Sequence, residues 1–199
     1  MPSSATAAAR SSVLAVILVV AATARELGLV DGAEKLACGI GPVEAAAATA
    51  RALAERRPGA VLHVGVAGSH SLDPPALVLG SESIYCDVRA AVPVVDRVTP
   101  DADLLATLRR ALPEAHVVPI GTSARVGGTS GCDVEAMEGF AVLRAAELSG
   151  VPAVELRAVA NRIAEPDRAR WRFDDALAAL ADAVPRAVEA LSASPAARG

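Results

Sequence analysis

A helix that runs straight into a buried strand, with polar groups set along both, constrains this chain more than any other feature. Residues 134–171 read as a polar turn, a helix, a tight connection, an apolar strand and a charged loop. Phe140, Leu143 and Ala146 recur at helical spacing, while Arg144 and Glu147 fall on another face. Gly150 followed by Pro152 stops the helix. Residues 153–159 are apolar and partly β-branched, the composition of a central strand covered on both faces.

Three polar groups sit on this unit: Glu138 at the helix start, Arg157 inside the strand, and Asn161 at the strand's carboxyl end. Each has an ordinary structural use. A glutamate favours a helix N-terminus through the macrodipole. A strand arginine can hold its head in solvent, and an asparagine suits a turn. All three on one helix–strand unit, at the end of the strand where α/β sheets bind ligands, also mark a candidate site.

The rest of the chain alternates in the same way. Strands are expected over residues 13–22, 34–38, 60–66, 77–85 and 116–120, with helices over 43–56 (after a turn at Gly39-Ile40-Gly41-Pro42), 101–112 and 174–191. In the last helix Leu177, Leu180, Val184 and Val188 form one stripe. Residues 86–99 and 121–133 read as loops, and 1–12 and 194–199 as Ala/Ser-rich tails around a single domain over 13–193. The pattern predicts α/β with helices on both faces of one sheet. Several strand ends then bring polar groups together: Glu26 after the first strand, 65–69 after the third, the 121–133 loop, Glu138, and Arg157 with Asn161.

Composition narrows the function classes. The 199 residues suffice for one domain with a sizeable core. The formal charge is −4 and Lys35 is the only lysine, which argues against a nucleic-acid footprint. Cys38, Cys86 and Cys132 make no CxxC pair, and His63, His70 and His116 have no helical i, i+4 spacing, so no metal site is expected. A reduced, cytoplasmic setting is the default for such cysteines. Residues 13–20 are too short an apolar run to span a bilayer, and no membrane partner is expected. Followed by Ala21-Ala22-Thr23-Ala24, the run has the outline of a signal peptide. A buried first strand is the preferred reading, because removal would delete Glu26 and the sheet's first member.

Met137-Glu138-Gly139, Val151-Pro152, Arg157-Ala158-Val159-Ala160-Asn161, Pro166-Asp167-Arg168 and Trp171 together resemble the futalosine hydrolases, a branch of the nucleoside phosphorylase and methylthioadenosine/S-adenosylhomocysteine nucleosidase superfamily. The resemblance runs from about residue 13 to about 190 and is strongest after Ala124. It implies a three-layer α/β/α sandwich with a mixed, partly barrel-like sheet, a homodimer or larger homo-oligomer, and no cofactor. It implies hydrolysis of the N-glycosidic bond of futalosine in menaquinone biosynthesis, with release of hypoxanthine. In that scheme Glu26 activates the water, and Glu138 accepts from the ribose 2′ and 3′ hydroxyls. Arg157 helps hold the water and fixes the carboxylates, Met137 packs on the ribose, and Val66, Ala67 and Gly68 offer backbone to the nucleoside. Asn161 stands where adenine-cleaving relatives carry Asp. An amide both donates and accepts, which suits a 6-oxopurine.

Two departures keep other readings open. Val66 replaces the hydroxyl residue common in the superfamily. Residues 85–101 and 118–133 are shorter than expected for loops that cover the base and the 5′ substituent. The alternatives are another purine nucleosidase of the methylthioadenosine/S-adenosylhomocysteine or aminodeoxyfutalosine type, a nucleoside phosphorylase with Arg25 at an anion site, or a weakly active nucleoside-binding paralogue. Gly39-Ile40-Gly41 lacks the third glycine of a dinucleotide fingerprint and is as consistent with a tight turn as with a role near the ribose.

Overall fold

The computed structural model describes residues 14–28, 33–127 and 131–198. The expected 1–12 tail and Val13 lie outside the described residues. The elements are β1 (Ile17–Ala21), α1 (Ala24–Leu27), β2 (Glu34–Ala37), α2 (Pro42–Arg56), β3 (Ala60–Ser69), β4 (Leu77–Tyr85), β5 (Arg97–Val98), α3 (Ala102–Ala111), β6 (His116–Thr122), β7 (Val134–Ala136), α4 (Gly139–Leu148), β8 (Ala153–Arg162) and α5 (Phe173–Ala193).

Five strands close on themselves. β3 pairs with β8 in parallel, β8 with β4 antiparallel, β4 with β6 and β6 with β7 in parallel, and β7 returns antiparallel to β3. β1 and β2 continue the sheet outward from β3 as parallel strands. Ile17–Ala21 is buried throughout and paired on both sides, as the first-strand reading requires.

Side chains alternate along these strands and so feed two layers. Ile17, Val19 and Ala21 of β1, with Leu62 and Val64 of β3 and Val154 and Leu156 of β8, pack against Leu104 and Leu108 of α3 and Leu180, Val184 and Leu191 of α5. Leu18, Val20 and Val61 face the other way, onto Ala45, Ala52 and Leu53 of α2 and Val142, Leu143 and Ala146 of α4. Ala67, Val78, Ile120, Val134 and Val159 fill the barrel between. The result is the three-layer α/β/α sandwich with a partly barrel-like mixed sheet. Each of the larger buried side chains contributes roughly 1.5–3 kcal/mol by leaving water.

Several bounds differ from expectation. β7 forms inside what reads as a polar turn, because it closes the barrel between β3 and β6, a long-range pairing that local pattern does not encode. β5 is two residues held on β4 within the expected 86–99 loop. β8 runs on to Arg162 because β3 accompanies it, past a bulge at Ala67/Gly68, to the Ser69–Arg162 pair. At the end of the chain Pro195–Arg198 is a short 3-10 turn that buries Ala197.

Candidate active site

The end of β1 begins the site. Thr23 caps α1, and Glu26, three residues on, completes a capping box. The Thr23 N–H and hydroxyl donate to Glu26 Oε2 at 2.9 and 2.7 Å. The other oxygen, Oε1, accepts from the Val66 N–H at the end of β3, at 3.3 Å. Glu26 is thus held by two strand ends while lining a cavity.

Glu138 reaches the same place from β7 and α4. It occupies the N-cap position of α4 yet makes no capping bond with its side chain. Its Oε1 instead accepts from the Gly41 N–H at 3.0 Å, and Oε2 lies 3.7 Å from Arg157 Nη1. Gly41 has φ +92°, where a side chain would be strained, and this turn aims its N–H at the carboxylate. The Gly39-Ile40-Gly41 segment therefore has a place in the site, and Ile40 also lines the cavity. Burial pushes the Glu138 carboxyl above the usual range. Arg157 and the Gly41 N–H oppose that shift, and the negative charges of Glu26 and Glu155 add to it.

Arg157 lies behind these acids and is not among the residues lining the cavity. It is 1% exposed. Its Nε donates to Glu155 Oε1 at 2.8 Å, and its Nη2 contacts His63 Nε2. Burial alone works against its charge, but Glu155 and Glu138 outweigh that and its pKa rises. The His63 tautomer follows from its partners. Its Nδ1 lies 3.0 Å from the Val20 carbonyl, which can only accept, so Nδ1 carries the proton and Nε2 accepts from Arg157. Burial, and then the Arg157 charge, push the His63 pKa well below its ordinary value, so the ring stays neutral.

The cavity has a volume of about 540 Å³. Of the residues singled out in the sequence, Glu26, Val66, Ala67, Gly68, Met137, Glu138 and Asn161 all line it. Arg157 is not on the cavity wall; its Nη1 stands behind Glu138 and Glu26, a position suited to fixing the carboxylates. Asn161 donates one N–H to the Arg162 carbonyl at 3.0 Å, which leaves its second N–H and Oδ1 for a ligand. A cationic and aromatic wall faces the cavity as well: Trp171 and Phe173 lie 5.6 Å apart, and the Arg168 guanidinium sits 5.3 Å from the Trp171 ring.

Sequence reasoning passed over Glu155 and Ser83 and weighed His63 only for metal spacing. All three are fully buried, and Glu155 and His63 hold Arg157. Their signal was a polar residue inside an apolar strand, the same signal that marked Arg157. Among the described residues no His/Cys/Asp/Glu group has the arrangement to hold a metal ion.

Cys38 lies close to this cluster. Burial and the Glu138 charge push its thiol up to about 12. Since the thiolate is the reactive form, Cys38 should react on the order of 10³-fold more slowly than an ordinary thiol. Alkylation of the native protein at pH 8, followed by peptide mapping, should find Cys38 unmodified while the part-exposed Cys86 and Cys132 are labelled. Rapid labelling of Cys38 would contradict the closed geometry.

Residues 35–194 match the sequence model of the phosphorylase superfamily. The chain belongs to that superfamily. It is 38% identical over 186 aligned positions to the futalosine hydrolase of Streptomyces coelicolor, covering 78% of each chain. A shorter stretch of 56 residues is 48% identical to the futalosine hydrolase of Thermus thermophilus, covering 28% of this chain and 25% of that one. Among solved structures, the futalosine hydrolase of Helicobacter pylori aligns with a TM-score of 0.80 at 16% identity, over 88% of this chain and 98% of that one. The 5′-methylthioadenosine/S-adenosylhomocysteine nucleosidase of Neisseria meningitidis, in complex with methylthio-immucillin-A, aligns at 0.78 with 23% identity, over 88% and 99%. At those identities the structural likeness establishes the fold.

Proposed function

We propose that this superfamily member is a futalosine hydrolase, which splits the N-glycosidic bond of futalosine with water and releases hypoxanthine, a step of menaquinone biosynthesis. One observation carries the reading: Glu26, Glu138 and Asn161, from three separate parts of the chain, line one cavity. Cleavage builds positive charge on the ribosyl carbon and negative charge on the departing base. Glu26, with its carboxylate toward the cavity, takes the proton of the attacking water. Glu138 accepts from the ribose 2′ and 3′ hydroxyls, and Met137 packs against the sugar. Asn161 donates to and accepts from the edge of a 6-oxopurine as charge develops there. The small residues 66–68 let the backbone lie close to the nucleoside.

Hydrolysis is favoured over phosphorolysis by the charge at the water position. Arg25 also lines the cavity, but its Nη2 is paired with Asp174 Oδ1 at 2.6 Å, and Glu26 puts negative charge where phosphate would enter. Arg125 and Arg168 on the cavity wall suit the carboxylate on the 5′ chain of futalosine. The purified protein should therefore release hypoxanthine from futalosine at the same rate with and without phosphate, and inosine, which lacks that chain, should give a lower kcat/KM. Release that depends on phosphate would make the protein a phosphorylase instead.

The active form in this reading is a homodimer or larger. Ile40, Val43 and Val126 are strongly exposed apolar side chains, and the first and last of them line the cavity. The setting is cytoplasmic, in keeping with three cysteines that form no disulfide. Among the described residues no helix is long and apolar enough to cross a membrane. Sedimentation at micromolar concentration checks the assembly: a monomer at all concentrations would contradict it.

A further inference from the structure

Glu155 touches neither the cavity nor solvent, yet both its oxygens are engaged. Oε1 accepts from Arg157 Nε at 2.8 Å, and Oε2 accepts from the Ser83 hydroxyl. A buried ion pair is a poor source of stability, because removing both charges from water offsets most of their attraction. The chain nevertheless leaves room for this one. A Cβ on Gly139 would stand 2.4 Å from Glu155 Oε1 and 2.5 Å from Oε2. The residue directly after Glu138 thus lacks a side chain because the Glu155 carboxylate occupies that space.

The guanidinium of Arg157 is a rigid planar fork. Glu155 holds it at Nε, and the neutral His63 ring, itself bonded to the Val20 carbonyl, holds it at Nη2. A plane fixed at two corners cannot turn, so Nη1 points one way. It faces Glu138 Oε2 at 3.7 Å and borders the same spot beside Gly65 as Glu26 Oε1. We propose that Glu155 is a positioning residue for the reaction: through Arg157 it places Glu138 and Glu26. The inference rests on Glu26 and Glu138 being the groups that act on the nucleoside.

The Glu155 charge also bears on Glu138, behind burial and Arg157. The groups that face Glu138 are Arg157 and Glu155 on β8, Glu26 on α1 and the Cys38 thiol after β2, with Glu135 of β7 on the same cavity wall. Glu155 and Glu26 are negative neighbours that resist its ionisation, while Arg157 favours it. Removing the Glu155 charge therefore lets Glu138 ionise at lower pH.

Glu155→Gln preserves shape and an oxygen for Arg157 Nε but removes the charge. Its kcat for hypoxanthine release should fall by about 10–100-fold, the cost of a misplaced catalytic group, with KM altered less than about threefold. The acid limb of its kcat/KM profile should move to lower pH. Wild-type kcat with an unmoved acid limb overturns the proposal. Ser83→Ala takes the donor from Oε2 and leaves every charge in place, and covers the case in which the glutamine variant does not fold. A severalfold loss of kcat at constant KM then supports the proposal, and wild-type kinetics overturn it. The unaltered enzyme, measured alongside, separates the two levels. No hypoxanthine from it rejects the functional reading and this proposal together; normal turnover with unaffected variants rejects the role of Glu155 alone.

Discussion

Glu26→Gln should lower kcat for hypoxanthine release by about 10²–10⁴-fold, the usual worth of a positioned general base. The same substitution should leave the fold almost intact, for a reason visible in the local structure. Glu26 is the third-position member of a capping box with Thr23, and glutamine is the other residue that fills that position. An amide oxygen can still accept from the Thr23 N–H and hydroxyl. What it loses is the 3.3 Å bond from the Val66 N–H, which the amide nitrogen cannot accept. That loss is worth about 0.5–1.5 kcal/mol. Activity and stability are thereby separated in one variant. A melting temperature within a few degrees of wild type, together with near-complete loss of turnover, is the expected result. Full activity would remove Glu26 from its role.

Gly65→Ala should lower both stability and activity, although it adds only a methyl group. The new Cβ would stand 2.4 Å from Arg157 Nη1 and 2.9 Å from Glu26 Oε1. The arginine is fully buried and held at two corners, so the glutamate, which borders the cavity, must shift and give up its bond from the Val66 N–H. Overpacking a tight site usually costs about 1–3 kcal/mol. Any loosening of the Arg157–Glu138 pair adds to that cost. The variant should therefore melt many degrees lower and, where folded, turn over at least about 100-fold more slowly. Thermal denaturation and steady-state kinetics on one preparation check this. Wild-type stability and rate would show that the crowding at Gly65 is not real.

The order of elements was largely legible in the sequence because its signals are local. Asp101 caps α3 by accepting from the Asp103 and Leu104 N–H groups, as a residue at a helix start should. Leu177, Leu180, Val184 and Val188 form the buried stripe of α5. Met137, Glu138 and Asn161 sit in one cavity, where the convergence of strand ends put them. What escaped was non-local. β7 has three residues and exists only because β3 and β6 flank it. The part of Glu155 was readable in principle. It lies two residues from Arg157, so a strand places both on one face, and an acid beside a base in a buried strand announces a pair. His63 was weighed only for metal spacing, whereas its strand is apolar and buried. The need for Gly139 and Gly65 depends on side chains from β8 and α1 that approach them only in the fold.

A structure with a non-hydrolysable hypoxanthine riboside bound is the most direct test. The account predicts the Asn161 amide within hydrogen-bond distance of the base and the Glu138 carboxylate on the 2′ and 3′ hydroxyls. It also predicts a water between Glu26 and the anomeric carbon, on the face away from the base. A ligand seated elsewhere, or a sugar that Glu138 does not touch, would contradict it.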